Sequence, residues 1–236
     1  MTIAEKLSLI ARNVQKVFDG GKKTEYNAFW DNYQENGNRK NYFCAFSGVG
    51  WTPETFKPKH PIKPDSAYMI FGQSCKAFVN QSDLSEDVVI DFSETSNMQY
   101  MFYTNTIIET LGVINASKAT NITGMFGQAT ALREIEQIIF TADTGKYQNS
   151  NPFQNCSKLK HVIFSGVVAC NGINLQWSTN LDIESLRSLL NCLIKTNANG
   201  KTITLASNHE SLIENDTEAK TQLEAAKSAG WTIVYN

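Results

Sequence analysis

Residue types able to do chemistry are sparse along this chain. Its three histidines, His60, His161 and His209, are far apart, and none has a second histidine at i, i+4 to grip a metal from one helix. No Gly-x-Ser-x-Gly elbow or phosphate-binding loop occurs, and Gly48-Val49-Gly50 lacks the third glycine of a dinucleotide fingerprint. Cys44, Cys75, Cys156, Cys170 and Cys192 form no Cys-x-x-Cys pair and are odd in number, which points to buried apolar thiols rather than a zinc knuckle or disulfide framework. Glu134 and Glu136 are two apart on an expected strand, hence on one face. Paired carboxylates can serve as general acid and base, but the same spacing decorates any solvated strand. These observations lead to the expectation of a non-enzymatic protein with no cofactor and no metal.

A binding surface is the remaining chemistry. Exposed positions of neighbouring strands would set Thr110, Glu134, Glu136, His161 and Ile163 in one row. His161 beside Ile163 is an unusual pairing for a face with no partner, although a solvated face has the same polar content. The loop from Thr141 to Pro152, rich in Asn, Ser and Thr with Tyr147 at its middle, is a second candidate.

Charge and hydropathy narrow the partners. A net charge of −2 with no run of Lys or Arg argues against nucleic acid. No 18 consecutive apolar residues occur, so no helical membrane insertion is expected. Glu5 and Arg12 interrupt the first stretch before an apolar signal-peptide run develops, so no secretion signal is expected. The cysteines fit assembly in a reducing cytoplasm, which leaves later release open.

The elements that must position the row come from an internal repeat. Ser93, Asn97, Met101, Phe102, Ile108 and Leu111 recur 24 residues later as Ser117, Asn121, Met125, Phe126, Leu132 and Ile135. Phe126, Leu132 and Ile135 recur again, 27 residues on, as Phe153, Leu159 and Val162, and Tyr68 to Phe71 is a degenerate earlier copy. A unit this short cannot bury its own apolar side, so stacking must supply the partner. The expectation is an α/β, right-handed solenoid with parallel strands near residues 108–113, 132–138 and 159–165. Leu132 and Leu159 begin strands whose leucine and isoleucine positions point inward, the Met-Phe pairs lie one layer further out, and Asn97 and Asn121 bond the backbone of the turns.

On either side of the repeats the pattern changes. Ile3, Leu7, Ile10, Val14 and Val17 are spaced 4, 3, 4, 3, a heptad seam that must be buried either on the body of the chain or in a short coiled coil. Asp19-Gly20-Gly21 would uncouple that helix from the rest. Tyr26, Phe29, Trp30, Tyr33 and the aromatics up to Trp51 form a cluster that would close the open end of a repeat core or, alternatively, stack on carbohydrate. Pro53, Pro58, Pro61 and Pro64 then mark an extended strap. After the repeats, Ile183, Leu186, Leu189, Leu190, Leu193 and Ile194 follow helical spacing behind an N-cap at Asp182. A strand over 202–206, a helix over 217–229 ended by Gly230, and a strand over 231–235 complete a C-terminal cap. The expected division is therefore 1–19 heptad helix, 20–66 aromatic cap and strap, 67–176 repeats and 177–236 α/β cap.

Ser93 to Phe102 (S-E-T-S-N-M-Q-Y-M-F) and Ser117 to Phe126 (S-K-A-T-N-I-T-G-M-F) resemble the BspA-like leucine-rich repeat, and Phe153-Gln-Asn-Cys-Ser-Lys-Leu159 is similar to the same family's Phe…Asn-Cys-Ser…Leu stretch. The resemblance implies a leucine-rich-repeat fold over residues 68–165. The overall layout resembles products of gut-bacterial phages and prophages. That resemblance implies a phage virion protein at the tail or baseplate, a homotrimer joined through the N-terminal coiled coil to other virion proteins, with the repeats turned to a glycan or protein receptor on the host. A bacterial cell-surface or secreted adhesin is the alternative that the family resemblance implies.

Overall fold

The computed structural model describes residues 63–72, 91–141, 151–198 and 200–236. The described residues form a mixed α/β structure with two three-stranded parallel sheets and three helices. The first sheet holds β1 (Thr110–Asn115), β2 (Glu134–Phe140) and β3 (His161–Gly166), side by side in chain order. Isoleucine and valine are frequent in all three, as strands with one buried face favour. Each strand starts two residues after its expected position. Leu132 and Leu159 are buried but lie in the turn before the strand, where their amides bond back to Ala129 and Cys156.

Before β1 and between β1 and β2, the described residues make stacked tight turns. Isolated parallel bridges join Ser66 to Asn97 and Asn97 to Asn121. Asn97 Oδ1 accepts the Gln99 amide at 3.0 Å and Asn121 Oδ1 accepts the Thr123 amide at 3.0 Å, the turn-closing role expected of both residues. The side chains of Phe71, Phe102, Phe126 and Phe153 form a continuous column, with ring centroids 5.0, 5.6 and 5.3 Å apart and planes within 18° of parallel. Met101, Phe102, Met125 and Phe126 are all buried, so the Met-Phe pairs belong to the core and not to an outer layer. Their turns carry Tyr100, Thr104, Gly124 and Gln128 at positive φ, which breaks strand-like alternation and turns consecutive side chains inward.

The second sheet, β4 (Ile173–Asn174), β5 (Thr202–Leu205) and β6 (Thr232–Tyr235), is joined by α1 (Ile183–Leu193), α2 (Ser207–Glu214) and α3 (Thr217–Ser228). The expected C-terminal strands and the helices before and between them are present. The structure adds α2 and β4, and β4 falls within the segment expected to be repeats. Helix α2 lacked a sequence signal because its only buried residues are His209 and Ile213. Asp182 caps α1 by accepting the Ser185 amide, and Asp216 caps α3 through the Ala219 amide, both at 2.8 Å. Trp231 is buried and its indole donates to the Leu193 carbonyl at 3.0 Å.

Helix α1 also closes the open edge of the first sheet. The amides of Val162 and Phe164 on β3 donate to the hydroxyls of Ser185 (2.9 Å) and Ser188 (3.0 Å), so a strand edge that would template further pairing is satisfied by side chains. Gly166 ends β3 at φ +81°, and a Cβ there would lie 1.9 Å from the Phe140 carbonyl oxygen, so only glycine fits.

Candidate functional site

Strand register assembles the row anticipated from the sequence. Thr110 on β1 pairs with Glu134 on β2, and Glu134 pairs with His161 on β3. Further along, Ile135 pairs with Val162 and Ile138 with Phe164, so Glu136 and Gln137 together face the single residue Ile163. That extra residue is a β-bulge, a device that re-aims side chains next to functional surfaces. It leaves Glu136 exposed while both Ile135 and Ile138 stay buried.

Thr110, Glu134, Glu136, His161 and Ile163, together with Leu111 and Gly112, line one depression of about 440 Å³. All five residues expected on the ligand face are therefore brought together. Gly112 lies 24 residues before Glu136 and lines the depression beside it. Leu111 and Gly112 were not legible as members of the row, because a buried leucine and a glycine do not mark an exposed face.

Glu134 and Glu136 take part in no ion pair among the described residues, whereas their neighbour Arg133 pairs with Glu109 at 3.7 Å. His161 is held from one side: its Nδ1 lies 2.7 Å from Oδ2 of Asp182, the N-cap of α1. Burial alone would raise the Asp182 carboxyl, but the Ser185 hydroxyl, the His161 ring and the Ser185 amide outweigh it and hold the carboxyl below its usual range. Asp182 accepting from Nδ1–H orients the His161 ring on the strand face. Asp182 was legible in the sequence as a cap. Its second role was not, since 21 residues separate it from His161.

A smaller depression of about 360 Å³ lies where the C-terminal ends of α1 and α3 approach, lined by Ile194, Lys195 and Gly230 among others. Among the described residues, no group of three His, Cys, Asp or Glu side chains could hold a metal ion, and no helix is long and apolar enough to cross a membrane. Cys156, Cys170 and Cys192 are buried thiols, and burial pushes Cys156 and Cys170 up to about 12, where neither is a nucleophile near neutrality. The heptad positions Ile3, Leu7, Ile10, Val14 and Val17, the aromatic cap and the Tyr147 loop lie outside the described residues. Comparison with protein-family models, curated proteins and solved structures finds no match to this chain.

Proposed function

We propose that this protein is a non-enzymatic binding protein, a short leucine-rich-repeat solenoid of the BspA-like type carried on a phage virion at the tail or baseplate. The observation that carries the binding role is the single depression formed by Thr110, Glu134, Glu136, His161 and Ile163. Its two carboxylates, which have no ion partner among the described residues, an oriented imidazole and a half-buried isoleucine suit a partner that presents hydrogen-bond donors or a cation beside an apolar group. The solenoid reading is supported by the 24-residue sequence repeat, the parallel register of β1 to β3 and the phenylalanine column, since successive units share one core. The virion setting and a homotrimer built on residues 3–17 rest on the layout of the chain and the heptad seam.

Immunogold electron microscopy of particles released by cells carrying the gene tests the location. Labelling at one end of the particle is expected. Label confined to the cell surface would replace the virion reading with that of an adhesin.

A further inference from the structure

A second surface, on the stacked turns rather than the strands, is built from tyrosines. Tyr68, Tyr100 and Tyr103 sit on the stacked turns, each partly exposed, with centroids 6.1 Å apart for Tyr68 and Tyr100 and 4.9 Å apart for Tyr100 and Tyr103. The two later rings lie against glycines of the next turn. A Cβ on Gly124 would meet the Tyr100 ring at 2.5 Å, and one on Gly127 would meet the Tyr103 ring at 2.9 Å. Gln128 Nε2 donates to the Tyr103 hydroxyl at 3.0 Å, fixing that ring's outer end.

Tyr100 has φ +55°, and the equivalent places in the other turns, Met69, Gly124 and Asn151, have φ +50°, +57° and +32°, so the turn itself takes a left-handed residue there. Glycine adopts this left-handed conformation freely, whereas a bulky aromatic residue adopts it only at a cost. Gly124 holds this place in the next turn, so glycine in place of the half-buried Tyr100 is compatible with the turn.

The turns that carry Tyr100 and Tyr103 are neutral, whereas Lys63 and Asp65 lie shortly before Tyr68. No residue from Thr95 to Ile108 or from Ala119 to Leu132 is charged, in a chain that is 19% charged overall. The rings are flanked by amides and hydroxyls, among them Gln99, Asn121 and Gln128, with Asn121 Nδ2 donating to Gln99 Oε1 at 3.1 Å. Rigid, two-torsion aromatic rings beside adaptable neutral donors and acceptors form a surface that recognises without charge. We propose that the Tyr68, Tyr100 and Tyr103 platform binds a neutral carbohydrate, stacking sugar C–H faces on the rings while the flanking amides take the hydroxyls.

Affinity electrophoresis in gels containing dextran, yeast mannan, laminarin or arabinogalactan tests this with the full chain. At least one polysaccharide should retard the protein, and raised salt should leave the retardation unchanged because no ionic contact carries it. Tyr100→Gly, which adopts the residue the next turn already uses, should keep the native circular-dichroism spectrum and weaken binding about tenfold or more. Tyr103→Ala, at ordinary φ, should do the same and guards against misfolding of the first variant. Glu134→Lys with Glu136→Lys should leave retardation intact, separating this surface from the strand face. Absence of retardation by all four polysaccharides, undiminished retardation of both folded tyrosine variants, or loss of retardation in salt would each overturn the proposal.

Discussion

Phe126 sits in the middle of the phenylalanine column, with Phe102 on one side and Phe153 on the other. Its truncation leaves a cavity that neither neighbour can fill without breaking its own stack. Phe126→Ala should cost about 3–5 kcal/mol in urea unfolding, and a loss below about 1 kcal/mol would mean that the column is not the core. His209 gives a pH signature. It is buried, its Nδ1 accepts the Ala206 amide at 3.3 Å and its Nε2 faces the Ser178 carbonyl at 3.1 Å, an arrangement that needs the neutral ring. Burial lowers its pKa below 6.5, so its contribution is present above that value and is lost as pH falls through the depressed folded value. The thermal midpoint should therefore begin to fall below about pH 6.5, and His209→Gln should remove that part of the slope. The repeat marked Phe126 as core from the sequence. It did not reveal the depth of Met101 and Met125, because strand alternation is the wrong rule for turns that pass through positive φ.

Among the elements, α1 is the joint between the two sheets. Its N-cap Asp182 holds the Ser185 amide and hydroxyl and also the His161 ring, while Ser185 and Ser188 take the free amides of β3. Asp182→Ala should cost about 1–2 kcal/mol as a lost cap, measured by chemical unfolding. The same change should broaden or shift the His161 ring resonances in an NMR spectrum, because the carboxylate that orients the ring is gone. A cap variant with unaltered His161 resonances would show that Asp182 does not position the site. The cap and the apolar spacing of α1 were readable from Asp182 through Ile194, since both are local. The serine contacts to β3, the β2 bulge and helix α2 were not, because each depends on a partner more than 20 residues away or on a buried polar group with no periodicity.

At the scale of the whole molecule, the proposed function requires a binding face on the repeats and self-association through residues 3–17. Two isoleucines among Ile3, Ile10 and Val17 shift a short coiled coil beyond dimers, so light scattering should give a trimer for the native chain and a monomer for Leu7→Asp with Val14→Asp. Equal masses for the two proteins would place the seam against the body of its own chain. The binding face is tested most directly by competition: purified protein is mixed with cells of the host strain before the particles are added, and adsorption is counted. Native protein should block adsorption in a dose-dependent way, and Glu134→Lys with Glu136→Lys, folded by circular dichroism, should lose most of that blocking. Equal blocking by both proteins, or none by either, would contradict a receptor-binding role for this strand face.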